Sequence, residues 1–394
     1  MNQYVVLIAG SRWENTHGTD HRLAMALATH HRVLWVDPPV PIIGPAVVDR
    51  PRLGQRRSMD RISAEILRLR VLVPPGPFRI GVREIANFLM WRAIRKALKD
   101  VGGRPLVTLT LSPSVRLPRS GRAVQVLHVT DDWLAGAELM GLSRRHVERI
   151  LRHNLHEADV VTAVTPHLAS TLRQLALRPD VSVVPNGCEI PTQTKSMASW
   201  KRMPAVGLVG QLNERLDFDL LDQIADTGMP IEVIGPRREH DAVARARLDG
   251  FLGRANVTWF GEVPAAAVPG MLERVSVGIT PYASNEFNHA SFPLKTLEYL
   301  SAGLPVVATD SPAVQWLNTE LIKVAQTEQE FIRHVIRLAH QPFDEYVREK
   351  NQTFARMHSW NARAEQLMQL ADSVDRGVIR GSLQIEHPAG GRAE

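Results

Sequence analysis

Short apolar runs of strand length recur along this chain, each followed by a turn and a helical pattern, and this alternation constrains the fold more than any other feature. QYVVLIAG leads through a polar, glycine-containing loop into the helical pattern DHRLAMALATHH, and HRVLWVDPP returns as a second apolar run ended by Pro38 and Pro39. Strand, helix and strand in that order predict a βαβ beginning, and therefore a parallel sheet with a right-handed crossover. PLVTLTLSP, AVQVLHVTDDW, DVVTAVTPHLASTLRQL and VSVVPNGC continue the pattern, with helices expected from about Arg83 to Lys99 and from Arg144 to His156. Residues 38–82 are rich in Pro, Gly and Arg and read as a long excursion holding a single strand, in ILRLRVLVPPGP.

Periodicity is lost over residues 190–204 and then restarts. AVGLVGQLN, PIEVIGP, NVTWFGEV, VSVGITPY and LPVVATD read as strands, DFDLLDQIADTG and FPLKTLEYLSAG as helices, the latter closed by Gly303 just past its end. Two successive α/β units fit this better than one large sheet, and 394 residues suffice for two separate cores. The expected domains are residues 1–190 and residues 200–350. A mobile tail is expected at 376–394.

Composition excludes several classes. Hydrophobic residues make up 44% and charged residues 22%, which fits neither wholesale disorder nor a coiled-coil rod. The single cysteine permits no intrachain disulfide and suits a reducing cytoplasm. MNQYVVLIAGSRW lacks a basic leading region and reads as a first strand, and no run approaches the roughly 18 apolar residues of a membrane span. Charge is unevenly divided: residues 1–190 carry 26 Lys+Arg against 16 Asp+Glu, and residues 50–122 alone carry 17 against 4. That block, with Phe88 and Trp91 among its cations, is a candidate surface for anionic membrane phosphates; no nucleic-acid module accompanies it.

The most informative segment is NHASFPLKTLEYLSAGLPVVATD, residues 288–310. A polar loop feeds a helix that carries Lys295 and Glu298 three residues apart, hence on one face. A helix N-terminus offers N–H groups and a positive dipole end to phosphate, Lys adds a full charge, and a carboxylate one turn on accepts bonds from ribose hydroxyls. The plain alternative is an exposed pair on an amphipathic helix.

This segment resembles the sugar-nucleotide signature of GT-B glycosyltransferases, in particular the family-four-like enzymes (glycosyl transferases group 1). The resemblance implies two Rossmann-like, doubly wound α/β domains facing a cleft. It implies that Glu298 holds the nucleotide ribose, with Lys295 near the diphosphate. The family's second Glu, eight positions earlier, is replaced by Ala290, so the grip on the donor sugar is expected from the loop Asn288, His289, Ala290, Ser291 and Phe292 through its N–H groups. VGLVGQLNERLDFDLL matches the family's glycine turn at Gly210; the family's downstream Lys is absent, which leaves Arg215 for the pyrophosphate. AGSRWENTHGTDHRLA resembles the first loop of these enzymes, which implies Gly10 and Gly18 passing close to the donor phosphates and a catalytic His17 near the acceptor.

HVTDDW ends a strand in Asp131 and Asp132, candidates for a base on the acceptor hydroxyl, against the plain reading of a cap and turn. Asp217-Phe218-Asp219 spells D-x-D but sits in a helical pattern with no strand before it, and no metal role is expected. MHSWNARAEQLMQLAD resembles the final helix of these enzymes, which implies a C-terminal helix at about 355–375 that crosses back onto the first domain, its start anchored by Trp360. The implied activity is transfer of a sugar from a nucleotide-diphosphate donor to a hydroxyl of a lipid-linked or envelope-polysaccharide acceptor. Retention of configuration and no metal or cofactor are expected, in the cytoplasm at the inner face of the cell membrane. A sugar-nucleotide epimerase of the same fold, or an inactive nucleotide-sugar-binding protein, stands as the alternative.

Overall fold

The computed structural model describes residues 2–14, 18–42, 57–76, 81–118, 123–137, 141–178, 180–190, 204–264, 267–292, 294–342 and 344–375. The linker expected at 190–204 falls outside the described residues except at its ends, and the tail expected at 376–394 falls outside them entirely. The described residues form two compact units, one up to Pro185 together with 363–375, the other Asn186–Ala362.

In the first unit the elements run β1 (Asn2–Ile8), α1 (Thr19–Leu27), β2 (Arg32–Val36), β3 (Val40–Pro41), β4 (Arg57–Arg61), β5 (Ile66–Val73), α2 (Val82–Asp100), β6 (Gly103–Thr110), β7 (Val124–Val129), α3 (Arg144–Glu157), β8 (Val160–Ala163), α4 (Pro166–Ala176) and β9 (Val181–Val183). The sheet order is β3-β5-β2-β1-β6-β7-β8-β9, and every pairing along it is parallel. Its central strands are continuous apolar runs because helices cover both faces. The excursion expected to hold one strand holds three among the described residues, since β4 pairs antiparallel with β5 at the edge and β3 pairs with its far end. RSMDR gave no apolar signal because an edge strand half open to solvent buries no continuous face.

The second unit runs β10 (Val206–Val209), α5 (Phe218–Asp226), β11 (Ile231–Ile234), α6 (Ala242–Leu252), β12 (Val257–Trp259), α7 (Val268–Leu272), β13 (Val277–Thr280), α8 (Glu286–Ala290), α9 (Leu294–Ser301), β14 (Val306–Thr309), α10 (Pro312–Leu317), β15 (Ile322–Ala325), α11 (Glu328–Ala339) and α12 (Glu345–Met357). Its parallel sheet has the order β12-β11-β10-β13-β14-β15. Leu220, Ile224, Leu248, Phe251, Phe331 and Val335 pack against Val206, Leu208, Ile231 and Val233 to form one core. Gly303 closes α9 at φ 77, as the small-residue turn predicted, and its N–H bonds to Leu300 O at 2.9 Å. The last helix, α13 (Trp360–Asp375), starts on the buried Trp360.

Both sheets reverse their winding beside their first strand, between β1 and β6 and between β10 and β13. In open α/β sheets such a switch point, at the carboxyl ends of the strands, is where ligands bind.

Candidate functional site

At the second unit's switch point β10 and β13 pair only through Val206 with Val277 and Gly207 with Gly278. Beyond them the strands part, and the Tyr299 hydroxyl fills the gap. It accepts from the Val209 N–H at 2.7 Å and donates to the Ile279 carbonyl at 3.2 Å. A Cβ at Gly278 would overlap the Tyr299 ring, so the glycine in VGIT is what admits the aromatic from α9. Burial pushes the phenol well above its usual range and keeps it neutral. Tyr299 therefore ties the strand preceding Gly210 to the helix that carries Lys295 and Glu298.

Those residues meet as the sequence spacing predicted. Lys295 Nζ lies 2.6 Å from Glu298 Oε2, both partly shielded, in the first turns of α9. Gly210 adopts φ 148, and a methyl group there would stand 3.7 Å from the Lys295 chain, so the lysine lies across the glycine turn. Gly210 N–H bonds to Ile234 O at 2.9 Å, and a Cβ at Gly235, itself at φ 142, would overlap the Gly210 carbonyl, so the neighbouring turn has no space for a side chain. A cation, a carboxylate, bare backbone and a helix N-terminus thus share one end of the sheet.

Arg215 stands on the other side of this end. Its Nε donates to Asn288 Oδ1 at 2.9 Å, and its guanidinium lies 5.1 Å from the ring centres of both Tyr282 and Phe287. No carboxylate pairs with it among the described residues. Asn288 is nearly fully buried and returns Nδ2 bonds to Arg215 O and Ala283 O at 3.0 and 2.8 Å, so one side chain joins three loops. Burial pushes the Tyr282 phenol above its usual range, with Arg215 opposing the shift and Glu298 adding to it.

The 288–292 segment differs from expectation. Residues 286–290 form the short helix α8, capped by Asn285, whose side chain accepts from Asn288 N–H. His289 N–H bonds to Asn285 O, and Ser291 N–H to Phe287 O and Asn288 O. These N–H groups are spent inside the turn and do not face a ligand. Ser291 is buried with its hydroxyl on Phe287 O, and Phe292 is buried too. His289 keeps a side chain at the surface, with Nε2 3.2 Å from Ser284 Oγ. It borders a hollow of about 590 Å³ that also touches Tyr282, Asp310, Ser311 and Glu328. Thr280, whose buried hydroxyl has no hydrogen-bond partner, lines a smaller hollow beside it.

The D-x-D sequence is structural. Asp217 caps α5 by accepting from Leu220 N–H at 3.0 Å, and Asp219 pairs with Arg247 at 2.6 Å. Among the described residues no group of three His, Cys, Asp or Glu is arranged to hold a metal ion.

In the first unit Gly10 follows β1 at the switch point, and a Cβ there would stand 2.9 Å from Leu111 O. Asp20, on α1, accepts from the N–H groups of Gly10 and Ser11 at 2.7 and 3.1 Å; burial raises its pKa against the pull of these bonds. Gly18 is the extended cap of α1, and His17 lies outside the described residues. The loop is held from below by a second set of residues. Asp37, fully buried, accepts from Trp35 Nε1 at 2.6 Å, from Arg68 Nε at 2.8 Å and from Trp13 N–H at 3.3 Å, and Arg68 also pairs with Glu14. Sequence reasoning missed Asp20, Asp37 and Arg68; the register that sets Trp35 opposite Arg68 was the contact that would have found the last two.

Asp131 is exposed after β7, while Asp132 Oδ1 accepts from Leu134 and Ala135 N–H at 3.0 and 2.9 Å. Asp132 is therefore a turn cap, the plainer of its two readings. In α2, Trp91 is turned inward, its Nε1 donating to Arg116 O at 3.0 Å, which removes it from the exposed basic face.

Comparison with known proteins places these features in a family context. Residues 204–341 match the family described as Glycosyl transferases group 1. A protein of Bacillus subtilis (strain 168), named for a glycosyltransferase role in teichuronic acid biosynthesis (TuaH), is 27% identical over 228 residues, 54% of this chain and 57% of that one. The chain thus matches little more than half the length of that relative. Sucrose-phosphate synthase from Thermosynechococcus elongatus superimposes with a TM-score of 0.67 at 15% identity, covering 95% of this chain and 100% of the other. The E. coli trehalose-6-phosphate protein bound with UDP-2-fluoro glucose gives 0.63 at 12% identity over 93% and 99%. Both solved structures are GT-B glycosyltransferases, and at these identities the likeness is one of fold: two Rossmann-like α/β domains, as the sequence resemblance implied.

Proposed function

We propose that this protein is a glycosyltransferase that moves a sugar from a nucleotide-diphosphate donor to a hydroxyl of a lipid-linked or envelope-polysaccharide acceptor. The observation that carries the reading is the Lys295–Glu298 pair at the start of α9, lying across the left-handed turn of Gly210 at a switch point. Glu298 accepts from the ribose hydroxyls, and Lys295 leaves it to meet the diphosphate. Arg215, clamped between Tyr282 and Phe287, supplies the second cation.

These two cations and the α9 N-terminus stabilise charge as it develops on the leaving diphosphate, which is the task a metal ion performs in other enzymes of this chemistry. Metal-independent transfer with retention is the form we assign. With the N–H groups of Asn288, His289 and Ser291 spent, the donor sugar falls to the side chains bordering the hollow, His289 first. In the first unit Gly10 and Gly18 are assigned to the nucleotide sugar, and His17, Asp131 and Asp132 to the chemistry at the acceptor hydroxyl. The envelope acceptor is supported by the teichuronic acid role named for the Bacillus relative. A lipid-linked acceptor locates the protein at the cytoplasmic face of the cell membrane, and no helix among the described residues is long and apolar enough to cross one.

The test is incubation with nucleotide-sugar donors and an envelope lipid extract, followed by mass spectrometry. A new glycosylated lipid or glycan supports the reading. Conversion of donor to an epimer with no transfer, or binding without turnover, would replace it.

A further inference from the structure

The surface of α2 carries a feature that sugar transfer does not explain. One face of this helix, through Ala86, Met90, Ala93, Ile94, Ala97 and Leu98, packs into the first unit's core against β5 and β6. The opposite face presents Ile85, Phe88, Arg92, Arg95, Lys96 and Lys99, exposed at every position. The intervals of three, four, three, one and three residues keep all six on a single stripe about 21 Å long. Ile85 is 52% and Phe88 60% exposed, which is unusual for large apolar side chains one turn apart.

The charges along the stripe are of one sign. Glu84 and Asp100, at its edges, are already paired, the first with Arg83 and the second with Arg57 and Lys96. Arg92, Arg95 and Lys99 have no carboxylate partner among the described residues. Residues 50–122 of the sequence carry 17 basic against 4 acidic side chains, so the segment that contains α2 is strongly cationic.

The geometry points to α2 as the element that seats this protein on an anionic lipid bilayer. Ile85 and Phe88 enter the boundary between headgroups and acyl chains, and the four cations lie among lipid phosphates with their aliphatic stems along the surface. Charge complementarity selects this occupant: a protein partner would need an acidic groove as long as the stripe, and a second copy would set the same cations against each other. The inference deepens the proposed lipid-linked acceptor by naming the surface that brings the enzyme to it. It is read without donor or acceptor, so it can fail while transfer stands, and transfer can fail while it stands.

The experiment is flotation of the full chain with vesicles of phosphatidylcholine alone, or of one part phosphatidylglycerol to two parts phosphatidylcholine. Binding is expected only to the anionic vesicles, and it should weaken at about 0.5 M salt, where screening is nearly complete. Each cation near such a surface strengthens partitioning about five-fold, so Arg92→Gln with Arg95→Gln should weaken binding roughly 25-fold. Phe88→Ser should weaken it about ten-fold from the lost apolar contact. Arg333→Gln with Arg337→Gln, on the exposed side of α11, should change nothing. Unchanged melting midpoints exclude misfolding as the cause. Equal binding to neutral vesicles, no binding to either, or binding indifferent to the α2 variants would overturn the proposal. Self-association lost in Phe88→Ser without vesicle binding would give the stripe to a second copy and overturn it equally.

Discussion

Tyr299→Phe removes one oxygen atom and leaves the ring where it is, which makes it a clean probe of the switch point. Two backbone groups then lose their partner inside the sheet, the Val209 N–H at 2.7 Å and the Ile279 carbonyl at 3.2 Å. A buried donor or acceptor left unsatisfied costs about 1–3 kcal/mol, and the weaker carbonyl contact argues for the lower end on that side. Because the ring still fills the space over Gly278, no cavity cost is added, and the expected loss is about 2–4 kcal/mol. Urea unfolding of both proteins measures this directly, with an unchanged slope showing that the same surface is exposed. The local consequence is the more telling one. Val209 precedes Gly210, and Tyr299 follows Glu298 by one residue, so loosening this tie should weaken nucleoside-diphosphate binding about ten-fold by calorimetry, or about 1.4 kcal/mol. A stability change below about 0.5 kcal/mol would show that these backbone groups find other partners and would refute the reasoning.

Three other outcomes are expected. Arg68→Met leaves Asp37 buried without its cation and should cost about 3–5 kcal/mol, whereas Glu14→Gln, at the half-exposed end of the same arginine, should cost under about 1 kcal/mol; similar costs for both would contradict the assignment of the buried end as the strong one. Burial lowers His128 from 6.5 to about 4, so the unfolded chain takes up a proton first as pH falls. Its contribution is complete above pH 6.5 and is lost between pH 6.5 and 4, by about 3 kcal/mol in total, and His128→Gln should flatten the stability–pH curve over that window. Asn288→Ala unties Arg215 from Ala283 and should weaken diphosphate binding about ten-fold, with little effect on a nucleoside lacking phosphates; equal loss for both ligands would mean that Arg215 does not serve the phosphates.

What the sequence revealed and what it concealed divide along physical lines. Parallel strands covered on both faces must be continuous apolar runs, so VGLV, VGIT and the other central strands were legible, as was the amphipathic helix over 83–99. The half-open edge strand β4 carried no such signal. Helix α12 hides for a different reason: its buried face includes Arg348, Asn351 and Gln352, and a polar buried face leaves no apolar period to detect. In the site, Lys295 and Glu298 were legible because helical spacing alone brings them together. Arg215 and Asn288 stand 73 positions apart, and Asp37 and Arg68 31 apart, so only the folded sheet reveals those bonds. The N–H groups of Asn288, His289 and Ser291 are taken up inside the turn, and a sign of this was present, since Asn285 three residues before Asn288 is a helix-capping spacing. Asp131 and Asp132 look alike in sequence, and it is the hydrogen bonds from Leu134 and Ala135 that separate a cap from an exposed carboxylate.

The most direct test of the central claim is thermal stabilisation of the purified protein by a panel of nucleoside diphosphates and their sugar derivatives, with Glu298→Ala alongside. One nucleotide should stabilise the wild type by about 2.7 kcal/mol at a hundred times its dissociation constant, with the shift largely lost in the variant. No shift with any nucleotide, or one that survives Glu298→Ala unchanged, would contradict the assignment of the α9 N-terminus as the donor site.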